Sequence, residues 1–243
     1  MPYNMTTPSG TLAAPYDVTA LLYTANAQNG LPGLHNDTGF GQSRYLQTVS
    51  NPFSSAFTHL TPFSVAIAFR REIINNLTEA LIHQMVNHNA YYYQGWGIFL
   101  NFFYGLGAAS LWIGNTFAGV SASQILVRGS TVLTNGTGYV LIVNYDGSGT
   151  AAGVSMYLNG VAETMTVVGD SLVTGTIPDT TGFTASVTGG TVATTAPLSI
   201  GDSWNGGSAN SDYFFEWILL DRQMTSLEAT NCSSYLNSKW ALY

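Results

Sequence analysis

The sequence predicts an all-β fold, a two-sheet antiparallel β-sandwich with a short helix at the C-terminus. Three features predict it: apolar runs of strand length recur along the chain, turn residues separate them, and a capped helical stretch follows the last run. The chain has 243 residues, of which 46% are hydrophobic, so one large core is within reach of a single domain. We therefore expect one domain over 1–243, with 1–61 as a loop-rich segment wrapping the sandwich.

The first segment is punctuated by Pro2, Pro8, Pro15, Pro32 and Pro52, and has short strand candidates near 20–23 and 44–49. Phe63-Ser-Val-Ala-Ile-Ala-Phe69 then alternates large apolar residues with small ones, the period of a strand with one fully buried face. Further runs at 79–86, 97–104, 110–114, 124–128, 139–145 and 153–158 follow at the spacing of an antiparallel sandwich. The uncharged stretch 96–114 is long enough for a membrane span, but Gly105-Leu-Gly107 divides it into two strand-length pieces, so a buried hairpin explains it better.

Asp146-Gly-Ser-Gly149 and Asn159-Gly160 are turn sequences, because their residues accept positive φ. The Thr/Gly/Val-rich stretch 164–195 reads as added edge strands and a long loop. Thr225-Ser-Leu-Glu228 has the spacing of a capping box, in which the Thr hydroxyl and the Glu carboxylate satisfy each other's backbone amides. Leu227, Cys232, Tyr235, Leu236 and Trp240 then recur at helical spacing, predicting a helix that closes one edge of the sandwich.

Charge narrows the partners. Charged residues make up 8% of the chain, with Lys239 the one lysine, Arg44, Arg70, Arg71, Arg128 and Arg222 the arginines, and a net charge of -7. No basic stripe exists to neutralise phosphates, so nucleic acid is not expected as a partner. The Asn/Gly/Ser/Thr surface suits packing against proteins or neutral glycans. Cys232 has no second cysteine to pair with, and its place on the apolar side of the helix suggests a buried, inert thiol. The N-terminus has neither the basic start nor the apolar stretch of a signal peptide, so an extracellular destination would be reached by a route such as lysis.

Five pieces in order resemble a known family. Phe63-Ser-Val-Ala-Ile-Ala-Phe69, Tyr139-Val-Leu-Ile-Val-Asn-Tyr-Asp-Gly-Ser-Gly149, Val154-Ser-Met-Tyr-Leu-Asn-Gly160, Leu198-Ser-Ile-Gly201 and the stretch from Phe215 to Glu228 look like the ordered elements of laminin-G-like, concanavalin-A-like jelly-roll domains. The likeness covers roughly residues 20–240, and the closing Tyr235-Leu-Asn-Ser-Lys-Trp240 is similar to the end of such domains in phage and bacterial surface proteins. The resemblance implies a curved two-sheet sandwich with binding loops at a rim. It implies no single activity, since the fold hosts lectins, adhesion modules, hydrolases and virion proteins. It also brings in calcium, held at a rim by aspartates and backbone carbonyls, for which Asp146, Asp202 and Asp212 are the loop candidates. They form no dense cluster, and the simpler reading is that they cap loops as Asx turns, with no cofactor required.

Catalytic patterns are missing. The five glutamates Glu72, Glu79, Glu163, Glu216 and Glu228 do not reproduce the Glu-x-Asp-x-(x)-Glu spacing of retaining glucanases, and Glu216 and Asp221 fall on opposite faces of a regular strand. Gly-x-Ser-x-Gly is absent, and His83 and His88 are read as hydrogen-bonding loop histidines beside an Asn87-His-Asn89 tip rather than as metal ligands. We therefore expect no enzymatic activity.

Two aromatic regions carry the chemistry of sugar binding, in which a ring stacks on the glycan while amides bind its hydroxyls. One is Trp204 with Asn205, inside Asp202-Ser-Trp-Asn-Gly-Gly-Ser208. The other is the run Tyr91, Tyr92, Tyr93 and Trp96. The expected function is a structural or binding protein of a virus particle, a phage head decoration, minor capsid or tail component with a rim that grips a host surface glycan. The alternative is a secreted or surface carbohydrate-binding adhesion module, and a glycoside hydrolase ranks below both. The expected partners are other virion proteins, the glycan and further copies of the chain, because a Thr/Val-rich edge at 164–195 with few charges favours strand pairing between molecules.

Overall fold

A computed structural model describes residues 5–6, 18–19, 21–35, 43–48, 57–72, 78–89, 92–101, 107–117, 123–172, 175–178, 184–187, 193–194, 198–201 and 212–243. Two antiparallel sheets form the sandwich. The nine-stranded sheet runs in the order Met5–Thr6, Ser43–Thr48, Ser199–Gly201, Glu79–Asn89, Tyr92–Leu100, Ala108–Phe117, Ser123–Val132 and Met165–Leu172, with Val18–Thr19 alongside Ser43–Thr48. The seven-stranded sheet runs Val161–Ala162, Val154–Leu158, Thr137–Tyr145, Phe63–Arg71, Tyr213–Leu220, Leu31–His35 and Leu22–Gln28.

The alternation in Phe63–Arg71 explains how the layers assemble. Phe63, Val65, Ile67 and Phe69 point between the sheets, where Leu141, Val143 and Tyr145 of the neighbouring strand join them. Trp96, Ile98, Leu111, Ile113, Ile125 and Val127 meet them from the nine-stranded sheet. Each such large side chain taken out of water stabilises the fold by about 2 kcal/mol before entropy is subtracted.

The other face of that strand is buried as well, which the alternation pattern did not indicate. Ser64, Ala66 and Ala68 are wholly buried, and with Val140 and Ile142 they form a floor for the helix Ser226–Trp240. The helix therefore lies across the outer face of the seven-stranded sheet instead of closing an edge. Small side chains on the floor permit that close approach. They also select the helix face, since Ala229, Ser233, Leu236 and Trp240 are buried, whereas Leu227 (68% exposed) and Tyr235 (51%) of the expected stripe face water.

The turns follow their sequences. Asn159 and Gly160 both take positive φ, 51° and 80°, and join Val154–Leu158 to Val161–Ala162. The piece containing Gly105-Leu-Gly107 separates two strands that pair antiparallel, Tyr92–Leu100 and Ala108–Phe117. In the first segment, Leu22–Gln28 and Leu31–His35 are strands of one sheet and Ser43–Thr48 of the other, so this segment contributes to both layers rather than only wrapping them. Within the Thr/Gly/Val-rich stretch, Met165–Leu172 is an edge strand, and Gly175–Pro178 pairs with Thr184–Val187 as a separate hairpin.

Candidate functional site

Strand register decides which candidate residues can act together. Ser199 and Ile200 pair antiparallel with His83 and Ile82, so the strand Ser199–Gly201 ends toward the Glu79 end of its neighbour. The strand Glu79–Asn89 runs the other way, to Asn89, which pairs with Tyr92. The strand ends flanking the two aromatic regions therefore lie at opposite ends of the nine-stranded sheet.

Trp204, Asn205, Asp202 and Tyr91 lie outside the described residues. Tyr92 and Tyr93 are in the strand Tyr92–Leu100, paired opposite Phe117 and Thr116. Trp96 is not a surface residue. It has no exposure, its ring lies 4.6 Å from that of Phe63, and its indole N–H donates to Gln84 Oε1 at 3.0 Å. It belongs to the inter-sheet core, which withdraws it as a glycan contact.

The calcium candidates also separate. Asp146 is exposed, and its Oδ1 accepts the Ser148 amide at 2.8 Å, the Asx turn expected of this sequence. Asp212 is fully buried and not a loop ligand, since its Oδ1 accepts the Glu72 amide at 3.2 Å. Among the described residues no group of three or more His, Cys, Asp or Glu side chains is placed to hold a metal. His83 is a mid-strand residue rather than a loop one, because Glu79–Asn89 extends through both histidines. Burial lowers its pKa to about 4.

Each glutamate has a structural engagement. Glu72 pairs with Arg70 at 2.5 Å, and Glu79 with Arg71 at 3.4 Å inside the core. Glu163 accepts the Thr131 amide and hydroxyl at 3.1 and 2.8 Å. Glu216 accepts from Lys239 Nζ at 2.9 Å and from the Trp240 indole at 2.8 Å, which docks the helix. Glu228 closes the capping box with Thr225 and pairs with Arg222 at 2.6 Å. Cys232 is half-buried, and burial together with the nearby Glu216 raises its thiol pKa, so little reactive thiolate forms.

One charged corner escaped sequence reasoning. Arg71 has no exposure, and its Nη1 donates to the carbonyls of Gly107 at 2.9 Å and Leu133 at 3.4 Å, tying two connections to the strand end. Gly107 takes φ +88°, and a Cβ there would stand 2.9 Å from that guanidinium. Beside it, Arg70, Tyr213 and His35 stack across three adjacent strands, with the His35 and Tyr213 rings 3.9 Å apart and the Arg70 guanidinium 4.4 Å from the Tyr213 centroid. The signal was the doublet Arg70-Arg71, two of the six Lys and Arg residues in the chain, at the end of an apolar strand.

No protein-family model and no curated protein sequence matches the chain. Solved structures do. The binding domain of Paraclostridial Mosquitocidal Protein 1 aligns with a TM-score of 0.57 at 10% identity, covering 96% of this chain and 48% of that one. The binding domain of botulinum neurotoxin serotype G gives 0.55 at 9% identity over 97% of this chain and 47% of that one. The receptor binding domain of botulinum neurotoxin D gives 0.55 at 10% identity over 96% and 48%. The chain thus spans about half the length of these structures. At such identities the likeness is one of fold.

Proposed function

We propose that this chain is a binding module that recognises a receptor through its carbohydrate and carries out no chemistry of its own. The observation that carries this reading is the alignment of its sandwich, over 96% of its length, with a domain described as receptor binding. The commitment of all five glutamates to pairs, caps and helix docking supports the second half of the reading, because a glycosidase needs two carboxyl groups directed at the sugar bond. Trp204 with Asn205 is our first choice for the contact residues and Tyr91, Tyr92 and Tyr93 the second, since a ring flanked by amides matches a pyranose face and its hydroxyls.

A glycan array tests the reading. The protein should bind a defined set of glycans, and Trp204→Ala should abolish the signal while leaving the melting temperature almost unchanged. No binding by the unaltered protein to any glycan or to glycan-bearing cells would sink it. A virus particle is our second reading, as the setting for such a module, and it rests on the low-charge Asn/Gly/Ser/Thr composition suited to packing among proteins. Mass spectrometry of purified particles decides it, because a virion component is present in fixed stoichiometry.

A further inference from the structure

We propose that Asp212 is a proton-operated latch at one corner of the sandwich. Its neutral carboxyl fastens the start of the strand Tyr213–Leu220 to the end of Phe63–Arg71, and its ionisation loosens that corner. This goes beyond the binding reading and does not depend on it.

The charge count of the corner carries the proposal. Among the described residues, two guanidiniums stand there with three carboxyl groups. Arg70 is matched by Glu72 at 2.5 Å, and Arg71 by Glu79 at 3.4 Å, the latter pair wholly out of water. Asp212 is the third carboxyl group and is also without exposure. Its Oδ1 accepts one backbone amide, from Glu72, while its Oδ2 has no hydrogen-bond partner. Arg71 spends Nη1 on Gly107 and Leu133 and Nη2 on Glu79, and its Nε, which has no hydrogen-bond partner, makes no bond to Asp212.

Also among the described residues, Tyr213 and His35 form the stack against Arg70 and bring no fixed positive charge of their own. An ionised Asp212 therefore leaves this corner with a negative charge in excess, away from water, and a buried carboxylate in that position is costly. Burial pushes its carboxyl pKa up to about 7, against the pull of the Glu72 amide and the Arg71 charge and with the help of the Glu72 charge.

The sign follows from linkage. A carboxyl whose pKa is raised by folding contributes stability that is complete below its unfolded value, near 4, and is lost as pH rises through about 7. The corner is thus tightest in acid and loosest above neutrality.

Hydrogen exchange on the full chain, corrected for the intrinsic rate, tests this at the Glu72 amide. The ratio of its protection in the unaltered protein to that in Asp212→Asn should fall about tenfold per pH unit from roughly pH 4 to pH 7 and then level off. Asparagine keeps the acceptor oxygen and cannot ionise. A ratio that stays constant across that range overturns the proposal. Should Asp212→Asn fail to fold, Glu72→Gln serves instead. It removes a neighbouring negative charge, so the pH at which protection levels off should move down, and an unmoved profile is equally fatal.

Discussion

His83 stands in the middle of a strand with its imidazole out of water, and burial alone accounts for its pKa falling to about 4 from an ordinary 6.5. Folding therefore favours the neutral ring. The stability this confers is complete above 6.5 and is lost as pH falls toward 4, by about 1.4 kcal/mol per pH unit. Denaturant midpoints of the unaltered protein should accordingly drop faster below pH 6.5 than those of His83→Gln, and parallel curves would place the ring in contact with water. This slope opposes that of Asp212 over the same range, so the two partly cancel in the unaltered protein alone and the comparison with the variant is what isolates His83. Residue roles of this kind were only partly legible beforehand. Trp96 looked like part of an aromatic rim because Tyr91, Tyr92 and Tyr93 precede it, yet it lies inside the strand Tyr92–Leu100, which carries it into the core. The charged corner was hidden for a different reason: Asp212 lies 141 residues from Arg71 in sequence, and only the pairing of Tyr213 with Arg70 brings them together.

At the scale of elements, the terminal helix joins the most legible feature to one of the least. Its start is written in Thr225-Ser-Leu-Glu228, and the structure contains both halves of the box, with the Glu228 amide donating to Thr225 Oγ1 at 3.2 Å and the Thr225 amide to Glu228 Oε2 at 2.8 Å. Its end is set by distant partners. Trp240 stacks on Phe215 at 5.1 Å and donates to Glu216, and Gln28 and Asn29 donate to the carbonyls of Ala241 and Lys239, each at 2.9 Å. Thr225→Ala should cost about 1 kcal/mol, since the exposed cap affects only the helix start. Trp240→Ala should cost about 3 kcal/mol or more, since a buried ring and the partner of a carboxylate are both lost. Equal, negligible shifts in denaturation midpoint would mean an undocked helix. Strands with apolar runs and Asn-Gly or Asp-Gly turns were readable because period and turn chemistry are local. The placement of the helix was not, because it depends on Ser64, Ala66 and Ala68, whose smallness reads equally well as plain alternation.

At the largest scale, the layers among the described residues are helix, seven-stranded sheet and nine-stranded sheet, and the middle layer is apolar on both faces. Covering its outer face is therefore a condition for a stable, soluble sandwich. Ala66, Ala68, Val140, Ile142 and Phe215 are buried there against Ala229, Leu236, Trp240 and Leu242. The helix also anchors the hairpin Leu22–Gln28/Leu31–His35 at the far edge of that sheet, because Gln28 and Asn29 donate to the carbonyls of Ala241 and Lys239. A chain ending after Gln223 would expose this face as one contiguous patch and release the hairpin from its anchor, and patches of that kind drive association. We expect the truncated protein to bind a hydrophobic dye, to lose its sharp unfolding transition and to elute as aggregates in size-exclusion chromatography. A monomer with an unchanged midpoint would show that the two sheets are sufficient and that the helix is an accessory, in which case the cost of Trp240→Ala should vanish as well.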